Sequence, residues 1–137
     1  MKKKKTISKL KKELDQIFSV YIRIREASDT GAAVCFTCGK MAHYKTLQNG
    51  HFQSRRFMAT RFDEENCQVQ CVKCNMYSQG EQYKFGLALD SKYGEGTAEE
   101  LEQISRSILK ISRVEYEEKI VYYKSLVEKL KKEKGIK

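Results

Sequence analysis

The sequence predicts an α+β fold that is mostly helical, and three observations predict it. The 137 residues include no proline, so nothing in the chain removes a backbone donor from a helix interior. Apolar residues recur at steps of three and four near both ends, as in helices that bury one face. Between those ends, residues 34–70 lose that periodicity and contain Cys35-x-x-Cys38, with Cys71-x-x-Cys74 just beyond. Such paired spacing suits a tetrahedral zinc ion. The chain therefore divides into a basic arm with an amphipathic helix (1–33), a small zinc-braced core (34–96) and a long C-terminal helical region (97–137).

Residues 7–27 are expected to form the first helix. Ile7, Leu10, Leu14, Ile17, Phe18, Tyr21 and Ile24 share one face, Thr6 can cap the start, and Ser28-Asp29-Thr30-Gly31 can end it. The lysines at 2–5 read as a mobile arm. Gly39, Gly50 and short alternating stretches such as Val34-Cys35-Phe36 suggest small hairpins through 34–70. A short helix is expected over 71–79 and a second over 81–93, which Gly94 and Gly96 break. Thr97-Ala98-Glu99-Glu100 fits a capping box at the head of the last region. There Leu101, Ile104, Ile108 and Ile111 form one seam, and Tyr116, Ile120, Tyr123, Val127 and Leu130 another. A step of five between them breaks the heptad register, predicting a bent helix or two helices. This region either packs back on the first helix or forms a homodimer interface; the pattern does not separate the two.

Charge and compartment narrow the function classes. Lys and Arg number 27 against 18 Asp and Glu, a net charge of +9. Residues 1–34 carry nine basic and four acidic side chains, which favours a polyanion such as nucleic acid as partner. No apolar run is long enough to span a membrane. The start MKKKKTISKL has a signal peptide's charge but no apolar stretch after it, so the expected location is the cytoplasm. In a reducing compartment the paired cysteines read as metal ligands rather than disulfides. Four thiolates leave no open position, so the zinc would be structural. Cys67, the fifth cysteine, reads as a small buried side chain.

With four ligands supplied by cysteine, His51 is free for chemistry. It is followed by Arg55, Arg56 and Arg61, then Asn66, then Asn75 directly after Cys74. Hydrolysis of a phosphodiester needs a base for water and positive charge at the phosphate. A neutral imidazole suits the first, and arginines or a cation held by an amide or carboxylate suit the second. The same residues could equally decorate a small zinc-ribbon binding module. His43 reads as a surface residue of the first hairpin. Phe52, Phe57 and Phe62 either pack around the zinc core or wedge into opened DNA.

The order CFTCG, NGHFQSR, TRFDEEN, QCVKCN and KYG, preceded by YIRIRE at 21–26, resembles the phage NinG (Rap) recombination nuclease family. That family is a branch of the HNH or ββα-metal endonucleases. The resemblance covers about two-thirds of the chain. It implies a ββα-metal core and metal-dependent, structure-selective nicking of branched DNA such as Holliday junctions and D-loops. It further implies a phage-infected or lysogenic bacterial host, phage recombination proteins as possible partners and a homodimer matched to a two-fold junction. By the same resemblance His51 is the general base and Asn66 braces the loop and orients it. Asn75 holds a catalytic Mg²⁺ or Mn²⁺, and Cys35, Cys38, Cys71 and Cys74 hold the zinc; Arg55, Arg56 and Arg61 read by residue type alone as the DNA contacts. Gly50 departs from the pattern, since many relatives in that superfamily place an aspartate there as a metal ligand. Either Asn75 then holds the ion nearly alone or a carboxylate arrives from elsewhere, Asp63, Glu64 and Glu65 being nearest.

Overall fold

A computed structural model describes residues 3–137, so Lys2 of the expected arm lies outside the described residues. The helices are α1 (Ile7–Arg25), α2 (Met58–Arg61), α3 (Gln82–Tyr93), α4 (Thr97–Ser105) and α5 (Arg113–Lys134). The strands are β1 (Ala32–Val34), β2 (Met41–His43), β3 (Gln48–His51) and β4 (Cys67–Gln70). A 3-10 turn spans Tyr44–Thr46 and a π-helical turn Lys73–Tyr77. Among the described residues, no helix is long and apolar enough to cross a membrane.

Helix α1 starts where the sequence places its cap: the Thr6 hydroxyl accepts from the Lys9 backbone N–H at 3.1 Å. Leu10, Leu14, Phe18 and Ile22 bury one face. The helix stops at Arg25, two residues early, because Glu26 and Ala27 lead into the turn that Gly31 closes with φ +83°. Lys5 is not a free arm residue, for it pairs with Glu13 at 2.7 Å.

Helix α5 lies along α1. Tyr116, Ile120 and Tyr123 share a buried cluster with Leu10, Leu14, Phe18 and Ile22, and the Phe18 and Tyr123 rings meet edge to face at 5.0 Å. The C-terminal seam is therefore spent inside the chain, against the first helix.

Two sequence expectations are corrected in this region. Helix α4 ends at Ser105, so Leu101 to Ile111 is not one seam: Ile108 is 100% exposed, while Leu101 packs with Phe85 and Leu89. Thr97 is the first helical residue rather than the cap, and its hydroxyl donates to the Gly94 carbonyl at 2.7 Å. The Asp90 carboxylate of α3 instead accepts from the Ala98 N–H at 2.9 Å. A reciprocal capping box does form, but at the head of α5, between Ser112 and Glu115 at 3.1 and 3.2 Å. Such a cap contributes about 0.5–2 kcal/mol.

The centre consists of two separate antiparallel hairpins. Strands β1 and β2 pair Ala33 with Ala42; β3 and β4 pair Gln48 with Gln70 and His51 with Cys67. The expected helix over 71–79 is the π-helical turn, and α3 follows it from Gln82. Phe36 donates its N–H to the Val69 carbonyl at 2.8 Å, which fastens the first hairpin to β4.

Candidate functional site

The four paired cysteines converge. Their Sγ atoms all lie within 4.8 Å of one another, and those of Cys38 and Cys71 stand 3.7 Å apart. Four sulfurs at about 2.3 Å from a tetrahedral ion would stand about 3.8 Å apart. Cys35 and Cys38 sit on the turn between β1 and β2, where Gly39 takes φ +79°; Cys71 and Cys74 come from the π-helical turn and the residues just before it. Burial raises the Cys35 thiol, but the Thr37 hydroxyl and backbone hydrogen bonds at Cys71, Cys38 and Thr37 outweigh it. Its pKa falls to about 6, as a thiolate ligand requires. The four cysteines could hold a zinc ion. Cys67 stands apart from them, fully buried, with its thiol raised by burial.

Beside this cluster opens a cleft of about 880 Å³, whose walls include His51, Asn75, Arg55, Gln48 and Asp15. His51 ends β3, and its Nε2 lies 3.1 Å from the Arg61 carbonyl oxygen. A carbonyl only accepts, so Nε2 carries the proton and Nδ1 keeps its lone pair. Burial drives the imidazole pKa down to about 4; the Arg61 carbonyl opposes the drop and the Arg55 charge adds to it. At neutral pH the ring is a neutral, oriented acceptor of protons. A phosphate anion entering the cleft would raise that value toward neutrality.

Asn66 makes no hydrogen bond to His51. It is fully buried and braces the intervening loop. Its Oδ1 accepts from the Gln53 N–H at 2.7 Å, while Nδ2 donates to the carbonyls of Gln53 and Thr60 at 3.1 and 3.0 Å. The imidazole is oriented instead by Arg61, the residue after Thr60. The three arginines part company. Arg55 is exposed on the cleft wall, Arg56 stacks over the Phe57 ring at 4.6 Å, and the Arg61 guanidinium is bound to Asp15. Phe52 packs on Phe85 at 5.5 Å and Phe62 on Phe18 at 5.7 Å, so these two rings serve the core.

Asn75 reaches the cleft from the π-helical turn, its Nδ2 donating to Gln48 Oε1 at 2.8 Å. Gln48 and Gly50 share one face of β3, while Asn49 and His51 share the other. Behind Gly50 lies Gln70, and a Cβ on Gly50 would meet its Oε1 at 1.9 Å. Both protons of that amide are spent on Thr37 Oγ1 and the Gly80 carbonyl, at 3.1 and 2.9 Å. Its buried Oε1 has no partner. The room beside Gly50 is thus filled by a neutral amide. The donors near Asn75 are carboxamide oxygens, which suit a hard cation such as Mg²⁺ or Mn²⁺ by type but bring no charge. They would leave most of such an ion's coordination to water or an added ligand.

Asp63, Glu64 and Glu65, the carboxylates named as candidate cation ligands, do not line the cleft. Asp63 caps the N–H groups of Glu65 and Asn66 at 2.8 and 3.0 Å. Glu64 accepts from the hydroxyls of Tyr21 and Tyr123 at 2.8 and 3.0 Å. Glu65 is exposed. The carboxylate that does line it is Asp15, with Ser19 and Arg23 above it on α1. Sequence reasoning passed over these three, although their spacing of four marks a polar stripe beside the apolar face. His43 is exposed on β2, stacked on Tyr44 at 4.8 Å, away from the cleft.

The sequence model of one family, described as Bacteriophage Lambda NinG protein, matches residues 1–133. The chain is also similar to Protein ninG of Escherichia phage 933W and to Protein ninG of Enterobacteria phage VT2-Sa. Each is 27% identical to it over 92 residues, which cover 66% of this chain and 43% of the relative. The match therefore spans less than half the length of these relatives. No solved structure matches the chain.

Proposed function

We propose that this chain, which belongs to the bacteriophage lambda NinG family, is a metal-dependent endonuclease that nicks branched DNA. The observation that carries the reading is His51: a neutral imidazole, held in one tautomer, facing a cleft shared with Arg55 and Asn75. A surface histidine of a binding module has no need of burial, a fixed proton and an open Nδ1 together. We read β3, β4 and the segment from the π-helical turn into α3 as a ββα-metal (HNH) unit, with the four cysteines as its structural zinc brace.

In this reading Nδ1 of His51 takes a proton from water, and the hydroxide attacks phosphorus in line with the departing 3′ oxygen. The departing oxygen takes a proton from solvent, and the products are a 5′-phosphate and a 3′-hydroxyl. Arg55 supports the phosphate from the cleft wall, and Asn66 keeps the loop between His51 and Arg61 in shape. A divalent cation bound near Asn75 would neutralise charge on the phosphate and the leaving oxygen. A positioned base contributes roughly 10²–10⁴ in rate. The net charge of +9 favours phosphate binding that weakens with salt.

One observation favours a second reading, a non-catalytic zinc-containing DNA-binding accessory module. Among the described residues Asn75 hydrogen-bonds to Gln48 and Gln48 to Met76 Sδ, neither to a carboxylate, and Gly50 is backed by Gln70. Two-fold junctions would suit a homodimer, and since α1 covers the inner seam of α5, a second copy would meet its outer face at Val114, Val121 and Tyr122, all exposed. Incubating the protein with a labelled four-way junction and a matched duplex, in Mg²⁺, Mn²⁺ or EDTA, separates the readings. Paired, metal-dependent nicks on the junction support the nuclease; tight binding without nicks in any metal supports the module.

A further inference from the structure

Taking His51 as the base, we propose that Asp15 and Arg61 are positioning residues that fix the ring through the backbone carbonyl of residue 61. Arg61 closes α2, a helix of four residues with no side-chain cap. So short a helix has little stability of its own, yet its last carbonyl is the group that orients His51. What anchors that carbonyl is the side chain of the same residue.

The guanidinium makes a two-pronged pair with Asp15 on α1, Nε donating to Oδ1 at 3.0 Å and Nη2 to Oδ2. Nη1 donates to the Arg55 carbonyl at 2.8 Å. The paired side chains are only 13% and 20% exposed, where a planar fork of donors on a carboxylate gives direction as well as attraction. Arg61 thus joins the 19-residue helix α1, the loop at Arg55 and the base in one rigid connection. Its charge is spent within the protein, which removes it from the phosphate clamp that sequence reasoning assigned to it. The charged groups facing His51 are Arg55, Arg61 and Asp15, and Tyr116 of α5 borders the same pair.

The test is nitrogen-detected NMR of the His51 ring, with single-turnover cleavage and DNA binding measured on the same proteins. Asp15→Ala, Arg61→Ala and the swap Asp15→Arg with Arg61→Asp are compared with the unaltered chain. The swap restores an ion pair and keeps a carbonyl at position 61. Asp15→Asn is the milder variant should the alanine forms unfold. The unaltered ring is expected as a single Nε2–H tautomer at pH 7. Both alanine variants should show mixed tautomers and a cleavage rate at saturating DNA lower by roughly 10- to 100-fold, with affinity and its salt dependence unchanged. The swap should recover the ring spectrum. An unaltered ring in both alanine variants overturns the proposal, as does a folded swap that fails to recover it. Weaker binding with a shallower salt dependence in Arg61→Ala, the ring unchanged, would make Arg61 a phosphate contact instead. If the unaltered protein cuts no DNA while the spectra change as expected, the nuclease reading fails and the positioning role stands.

Discussion

The two faces of strand β3 carry opposite chemistry. On one, His51 faces charged and titratable neighbours, Asp15, Arg55 and Arg61, and its proton is fixed by a carbonyl. On the Gln48 and Gly50 side, Gln48 accepts from Asn75 and approaches Met76 Sδ, and Gln70 fills the room beside Gly50. The first face is organised before any substrate arrives. The second offers oxygen atoms without charge and depends on what the substrate brings. Under the proposed nuclease reading the base is organised and the cation site is not, so a divalent cation should bind most weakly when DNA is absent.

The largest expected effect lies beneath both faces. Cys71→Ser, or removal of zinc by a strong chelator, should unfold the centre, because structural zinc contributes roughly 10–16 kcal/mol in small zinc-finger peptides. Circular dichroism and thermal melting with and without chelator read this out; a melt unmoved by metal removal would show that the hairpins stand without the brace.

Next comes the organised face. His51→Ala should lower cleavage by roughly 10²–10⁴ and leave junction affinity intact, as measured by single-turnover assay and gel shift. The opposite face should respond differently. Gly50→Asp should not improve metal binding, because its Cβ collides with Gln70; overpacking of this kind costs about 1–3 kcal/mol. Gly50→Asp with Gln70→Ser opens the space and should raise Mn²⁺ affinity, read by electron paramagnetic resonance. Equal gains in the single and double variants would remove the steric argument.

A separate effect is expected in the pH dependence of stability. His51 has a folded-state pKa of about 4 against an ordinary 6.5, so between these values the unfolded chain binds more protons. Stability from this residue is complete above pH 6.5 and is lost as pH falls toward 4. Denaturant melts of the unaltered protein and His51→Gln across that window should converge as the medium becomes acid; parallel curves would place the imidazole in solvent.

Much of this was legible in the chain, and the unread parts share a cause. Thr6, the apolar face of α1 and the cysteine pairs are local signals, set by spacing within a few residues, and the structure keeps them. The cap at Thr97 failed because Asp90, on the preceding helix, supplied the capping oxygen first. The seam through Ile108 failed because the chain turns at Ser105 before reaching it. At the site, His51, Asn75 and Arg55 were picked out by residue type and do share a cleft. Asp15 was not, because its partner Arg61 lies 46 residues away, and no local pattern announces a pairing at that distance. Gln70 escaped notice for the same reason: a glutamine in a strand gives no hint that it will occupy the space beside a glycine on the facing strand.

The most direct single measurement is single-turnover cleavage of a labelled immobile four-way junction by the unaltered protein and His51→Ala, in saturating Mn²⁺. The account expects paired nicks from the unaltered protein and, from the variant, equal binding with cleavage lost by about two orders of magnitude or more. Cleavage at the same rate by both proteins, or tight binding with no cleavage by either, would contradict it.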